Sequence, residues 1–155
     1  MKLRPHHIID IVTDYGNNVH YEPHPYGHSQ HLVAPKLLSD LAVKFTLVLE
    51  ADDICKGCTN LMDDRKCRDV LGQLNPSPSK QAYNDVLDSR LFDHFRLTPG
   101  YTLTFQEYLE ILNERTPGLE KICTHPKEEP AKRLRGLIKG LTRLGVRNKM
   151  KKNKN

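Results

Sequence analysis

The sequence lacks an apolar segment long enough to cross a bilayer, which takes about 20 consecutive apolar residues. Residues 1–15 also lack the continuous apolar stretch and cleavage site of a signal peptide, since Asp10 and Asp14 interrupt them. We therefore expect a cytoplasmic protein that does not act at a membrane. In that reducing setting, clustered cysteines favour metal ligation over structural disulfides.

Acidic residues are missing from residues 131–155, which hold ten of the 24 Lys and Arg residues. The remaining 14 basic and 19 acidic residues give residues 1–130 a net charge of −5, although the whole chain carries +5. Aromatic residues also end at Tyr108, which leaves the basic end without a base-stacking platform. We interpret it as a solvated helix face and a disordered tail over 148–155, with nucleic-acid contact as the alternative. The basic residues expected on the solvent side of that helix are Lys132, Arg133, Arg135, Lys139 and Arg143.

Cysteines are few, and three of the four form a C-x2-C-x8-C array of Cys55, Cys58 and Cys67. The fourth, Cys123, lies far along the chain. The short turn of a C-x2-C pair directs two thiolates toward one ion, and Gly57 inside it suits a positive φ. Four thiolates hold either a tetrahedral zinc ion or an iron–sulfur cluster. The alternatives are a redox dithiol at Cys55 and Cys58, or four cysteines without a common role.

Hydrophobic periodicity predicts a mainly helical α+β fold with one small sheet, forming a single domain over residues 1–147. The clearest strand is 43–50, where apolar residues alternate, and the cysteine array follows its end. Ser79 is a predicted helix N-cap, and Thr104 with Glu107 forms a predicted capping box. Further helices are predicted at 6–15, 32–41 and 130–144.

Two adjacent histidines begin the first predicted helix, directly after an arginine and a proline. We interpret His6 and His7 as ligands or as proton donors and acceptors near the metal centre, the alternative being a capping or core histidine. Asp53 is the third candidate catalytic residue, because it lies at the end of the predicted strand beside the cysteines. It would act as a general base or orient a histidine, unless Asp52 or Asp53 caps the cysteine loop.

A second group of histidines lies in segment 19–31, where two prolines and a glycine predict a loop. His24 and His28 are candidates for a second metal site. A substrate-binding loop and a solvated histidine-rich loop are the alternatives.

Three motifs in this order resemble those of a small bacterial and archaeal family described as iron–sulfur binding and without an established activity. They are Arg-Pro-His-His at 4–7, Asp-Asp-Ile-Cys at 52–55 followed by Cys58, and Ile-Cys at 122–123. The resemblance covers roughly residues 3–125, although position 10 is aspartate where family members often carry cysteine. It implies an iron–sulfur cluster, [4Fe-4S] favoured, on Cys55, Cys58, Cys67 and Cys123, with zinc as the alternative.

Two functions follow from these observations. The first is a small iron–sulfur protein with redox or Lewis-acid chemistry, in which a histidine moves protons. Its partner would be a small molecule or a redox protein. The second is a regulatory module with structural zinc, whose basic C-terminus contacts nucleic acid. Only the first makes the protein an enzyme or an electron carrier.

Overall fold

The computed structural model describes residues 1–72, 74–123 and 128–148. Within them the chain forms six α-helices and a three-stranded sheet, which confirms the predicted mainly helical α+β fold. The strands are β1 (Lys2–Leu3), β2 (Lys44–Leu47) and β3 (Thr102–Thr104). The helices are α1 (Pro5–Gly16), α2 (Gln30–Ser39), α3 (Lys80–Phe95), α4 (Phe105–Glu114), α5 (Leu119–Ile122) and α6 (Pro130–Arg143). Residues 149–155 of the predicted tail lie outside the described residues.

Strand β2 is the middle of the sheet and the predicted strand, although it is shorter than 43–50. β1 pairs with it in parallel, with Leu3 opposite Leu47, and β3 pairs antiparallel, with Leu103 opposite Phe45. All four side chains are buried. The two outer strands were not predicted, because two or three residues are too few to show alternation.

Helix α1 begins directly after β1, so the sheet fixes where this helix starts. Pro5 occupies the first turn, where a missing N–H costs nothing. Ile8, Ile9, Ile11 and Val12 are all buried, which places α1 at the centre of the core. The start of α1 is therefore held next to the segment that follows β2, and that segment carries the first cysteines.

Glycines bring α6 against α1 at backbone contact. A Cβ added at Gly16 would lie 2.0 Å from the carbonyl oxygen of Gly136, and one at Gly140 would lie 2.1 Å from that of Val12. The apolar face of α6 is buried as predicted at Leu137 and Leu141. The predicted solvent position of Arg133 is wrong, because its side chain is only 11% exposed and faces α1.

The predicted helix caps at the starts of α3 and α4 are confirmed. The Ser79 hydroxyl accepts a hydrogen bond from Ala82 N at 3.3 Å at the start of α3. Thr104 and Glu107 form the predicted reciprocal capping box at the start of α4. Of the helices in the described residues, none combines the length and apolar character of a bilayer span.

Candidate metal centre

The first two cysteines lie on a turn whose shape depends on Asp52. Oδ1 of Asp52 accepts hydrogen bonds from the backbone N of Ile54 at 3.0 Å and of Cys55 at 3.4 Å, which caps one turn of 3-10 helix. Cys58 N then donates to the carbonyl oxygen of Cys55 at 3.1 Å, and Gly57 between them has φ of 80°. The positive φ of Gly57 and the loop cap are both confirmed as predicted, with Asp52 as the capping residue.

The other two cysteines come from separate parts of the chain. Cys67 N donates to Oε1 of Gln81 at 2.9 Å, which attaches the third cysteine to the first turn of α3. Cys123 directly follows α5 and is 8% exposed. Its Sγ accepts a hydrogen bond from Nη2 of Arg133 at 3.5 Å. Tertiary packing thus brings together residues that are far apart in sequence.

Two of the thiols are held in their protonated form near neutral pH. Burial, helped by the charge of Asp52, raises the pKa of Cys55 to about 12. Burial also raises the pKa of Cys123 to about 11, with Asp10 adding to the rise and Arg133 opposing it. Because metals bind the thiolate, ligation at these positions would release protons.

All four cysteines line a single cavity of about 670 Å³. None of them is in a disulfide. Across the described ranges, no three His, Cys, Asp or Glu side chains converge closely enough to hold one metal ion. The predicted ligands therefore share one space without forming the tetrahedron of a mononuclear zinc site, in which Zn–S bonds of about 2.3 Å hold the sulfurs about 3.8 Å apart.

The start of α1 forms another part of the cavity lining, and a buried aspartate of α3 holds it in place. Asp88 is fully buried and accepts hydrogen bonds from Nη1 of Arg4 at 2.9 Å, from His6 N at 2.9 Å and from Nδ1 of His6 at 2.8 Å. Nη2 of Arg4 also donates to Asp85 at 2.9 Å. Burial alone would raise the pKa of Asp88, but His6 and Arg4 lower it, so the carboxylate stays ionised.

The next histidine pairs with Asp52 in the same manner. Oδ2 of Asp52 accepts from Nδ1 of His7 at 2.7 Å and from the backbone N of Arg4 at 2.7 Å. Burial by itself would lower the pKa of His7, but the charge of Asp52 outweighs it and raises that pKa. For Asp52 burial acts in the opposite direction and by itself would raise the pKa. The charge of His7 and the hydrogen bonds outweigh it and lower the pKa of Asp52 to about 2. Each partner thus stabilises the charged form of the other.

Both histidines line the cavity, with ring centroids 4.3 Å apart and planes tilted by 51°. In each ring Nδ1 lies within hydrogen-bond distance of a carboxylate, so Nε2 is the nitrogen left to act on a ligand. Histidines that bind metals or transfer protons are usually oriented by a carboxylate in this way. The predicted site roles of His6 and His7 stay predictions, and the structure adds Asp88 and Asp52 as the residues that orient them.

The third candidate catalytic residue, Asp53, lies apart from the two histidines. Its carboxylate accepts from Lys2 N at 3.1 Å and contacts Nζ of Lys56 at 3.3 Å, and it is not part of the cavity lining. The neighbouring Asp52 makes the contact with His7 that a histidine-orienting role requires. The catalytic role of Asp53 stays a prediction without a histidine contact.

The histidine-rich segment 19–31 packs against the cysteine turn. A Cβ on Gly27 would lie 2.6 Å from the carbonyl oxygen of Gly57, and a Cβ on Gly57 would lie 2.6 Å from that of Gly27. Thr59 N donates to the carbonyl oxygen of Tyr26 at 2.7 Å. We refer to this reciprocal contact of Gly27 and Gly57 as the glycine clasp. It fixes the position of the loop relative to the C-x2-C pair.

His24 and His28 stack within this loop, with centroids 4.4 Å apart and planes 22° apart. Nδ1 of each accepts a backbone N–H, from Tyr26 at 3.0 Å and from Gln30 at 3.4 Å. Burial and the neighbouring His24 lower the pKa of His28, which lines the cavity. No third donor among the described residues joins the pair to complete a metal site. The second metal site on His24 and His28 stays a prediction.

Sequence reasoning missed the charged residues that organise the cavity. One of them carried a signal, because Asp88 precedes Leu91 and Phe92 on the buried face of α3, where a carboxylate is out of place without a partner. Arg133 carried none, since it lies in a helix with basic residues throughout. The residues missed are Asp10, Asp85, Asp88 and Arg133.

Comparison of the chain with models of known protein families, with curated proteins and with solved structures gives no match. The geometry of the cavity is therefore the basis for the function proposed below.

Proposed function

We propose that this protein binds an iron–sulfur cluster, [4Fe-4S] favoured, through Cys55, Cys58, Cys67 and Cys123. The observation that carries the proposal is that thiols from three separate parts of the chain line one cavity. A role shared by all four explains this common lining better than a dithiol at the C-x2-C pair alone. The resemblance of three sequence motifs to an iron–sulfur family also supports the cluster.

A cluster and a zinc ion would require different distances between the four sulfurs. A single zinc ion draws four sulfurs to within about 4 Å of one another, because each Zn–S bond is only about 2.3 Å long. A cluster separates its thiolates further, since several iron and sulfide ions lie between them. The four thiols line one shared cavity, and the family resemblance is what favours the cluster over zinc there.

The cavity has room for a small molecule beside the centre. Its volume of about 670 Å³ falls within the range of about 300–1,000 Å³ for ligand sites. Because the four cysteines would fill the ligand positions of the cluster, such a molecule would bind beside the centre rather than to an iron. We infer that a small molecule enters from the cytoplasm, or that a redox partner approaches the cavity there.

His6 and His7 would transfer protons to or from that molecule through Nε2. Asp88 and Asp52 hold the two rings by Nδ1, which fixes their orientation before any ligand arrives. When bound, the cluster would supply electron transfer, because four cysteine ligands leave no iron open to act as a Lewis acid. Arg4 connects the two halves of this arrangement, because its side chain donates to Asp88 and its backbone N to Asp52.

The test is iron, sulfide and zinc analysis of protein purified without oxygen. We expect a brown protein with broad visible absorbance and equal amounts of iron and acid-labile sulfide. Cys58→Ser and Cys67→Ser should each lose most of the iron, whereas the neighbouring conservative variant Thr59→Ser should keep it. A colourless protein with stoichiometric zinc would overturn the cluster in favour of the zinc module.

The role of the histidines needs a separate comparison. His6→Gln and His7→Gln should retain iron and sulfide, because the proposal assigns the histidines to proton transfer and the cysteines to ligation. Loss of iron in either variant would instead make that histidine a ligand.

A further inference from the structure

Arg133 is a buried cation beside one of the four cysteines. Its side chain is 11% exposed. Nη2 donates to Oδ1 of Asp10 at 2.7 Å and to Sγ of Cys123 at 3.5 Å, while Nη1 donates to Glu128 at 3.0 Å. Arg133, Asp10 and Cys123 all line the cavity. One guanidinium nitrogen is thus shared between a carboxylate and a thiol.

The packing of α6 on α1 holds the arginine in this position. The glycine contacts between the helices place the first turns of α6 next to Asp10 of α1. Lys132 and Arg135, which flank Arg133 on the same helix, are both exposed. Arg133 therefore differs from its basic neighbours in facing the cavity.

Burying the Arg133 side chain leaves one of its N–H groups without a hydrogen bond to the described residues, which costs free energy. Within the part of the chain that the structure describes, Nε of Arg133 is buried without a hydrogen-bond partner. Leaving a buried donor unpaired is unfavourable, so such groups often coincide with functional positions. An exposed ion pair to Asp10 would connect the two helices without that cost.

A guanidinium keeps its positive charge at any physiological pH. Hydrogen bonds to ligating sulfurs and nearby charge are among the factors that set the potential of an iron–sulfur cluster. Reduction adds one negative charge to the centre, so a cation beside a ligand thiolate stabilises the reduced form more than the oxidised form. A carboxylate on the same cation has the opposite effect.

We propose that Arg133 raises the reduction potential of the centre through Cys123, and that Asp10 limits this effect by neutralising part of the arginine charge. Arg133 acts through a ligand and is a positioning residue. This inference rests on the proposed function, because it requires a redox-active cluster on Cys123.

The experiment is an anaerobic reductive titration of the cluster-loaded protein with dithionite and redox mediators, followed by visible absorbance. In Arg133→Gln we expect the equilibrium constant for one-electron reduction to fall about tenfold, which is about 59 mV toward lower potential. In Asp10→Asn the potential should move the opposite way and by less, because the Asp10 side chain is 34% exposed. Arg133→Lys should stay closer to the unaltered protein than Arg133→Gln does.

The matched control is Arg135→Gln, which removes an exposed arginine from the same helix and should leave the potential unchanged. Opposite shifts in Asp10→Asn and Arg133→Gln support the inference, since general damage to the fold would not change sign. If Arg133→Gln fails to fold, Asp10→Asn and Arg133→Lys still carry the test. A cluster-loaded protein whose potential is unmoved in these variants overturns this inference alone, whereas the absence of any cluster overturns the proposed function.

Discussion

Two regions of the chain that line the same cavity are built in different ways. Residues 4–7, at the start of α1, carry the buried side chains of Arg4 and His6 and the half-buried His7, and their carboxylate partners are Asp52 and Asp88. In the segment 55–72, by contrast, every residue is half-buried or exposed, and the backbone forms turns and takes part in two isolated bridges. Buried charged partners fix residues 4–7 before any ligand binds, whereas backbone hydrogen bonds of its own turns hold much of the cysteine segment.

This difference suits a site that assembles around its cofactor. Metal-binding residues rarely stand in their final geometry without the metal, because the binding energy is what brings them together. Groups that orient a ligand or transfer protons are most effective when packing already holds them in place. We therefore expect the proposed cluster to organise the cysteine segment and leave the helix start unchanged.

The largest expected effect comes from removing the carboxylate that holds the helix start. Asp88→Ala would leave Arg4 and His6 without their buried partner, and should lower the free energy of unfolding by about 3–5 kcal/mol. Urea denaturation followed by circular dichroism measures it. The control is Asp93→Ala, an exposed aspartate on the same helix, which should change stability little. A loss below about 1 kcal/mol for Asp88→Ala would contradict the proposed rigidity of this region.

The glycine clasp tests the cysteine side of the comparison. Gly57→Ala combines a positive φ with a Cβ 2.6 Å from the carbonyl oxygen of Gly27. We expect a destabilisation of up to about 3 kcal/mol and a lower iron content, because the C-x2-C turn must change shape. The control is Gly72→Ala, which also lies on the cavity but would meet no atom within 4 Å. Equal iron contents in the two variants would argue against a role for the clasp.

Acid titration should weaken the helix start. Asp52 has a pKa of about 2 in the folded protein, against 3.8 for a free aspartate. Its charge therefore contributes about 2 kcal/mol of stability, which is fully present above the unfolded pKa and is lost as pH falls through the folded pKa. His7 has a raised pKa, so its contribution is complete below 6.5 and decreases as pH rises through its folded pKa. Urea midpoints measured from pH 2 to pH 9 check both signs. In Asp52→Asn the urea midpoint should fall less steeply at the acid end of this pH range.

The smallest expected effect is at the junction of the two regions. Gln81 accepts from Cys67 N and donates to Asp85, so Gln81→Ala should cost about 1 kcal/mol. Gln106→Ala, which removes an exposed contact to Glu110, is the control and should cost less than about 0.5 kcal/mol. A Gln81→Ala variant as stable as this control would mean that the junction contributes little.

Local signals accounted for much of the fold. The helix caps at Ser79 and Thr104, the strand around Phe45 and the helix after Pro5 were all predictable, because each depends on residues that are close in sequence. The two outer strands were not, since pairing with β2 rather than their own pattern defines them. The long helices are therefore the more predictable part of this α+β fold.

For the candidate site, the sequence by itself determined the chemical groups: four thiols, a C-x2-C turn with Gly57 at positive φ, and two histidines at a helix start. Only the tertiary structure decided which groups meet, because their partners lie 45 to 123 residues away in the chain. It placed Asp52 rather than Asp53 beside His7. It also turned Arg133 from the expected solvent face toward Cys123, because close packing at the glycines of α1 and α6 sets the rotation of the last helix.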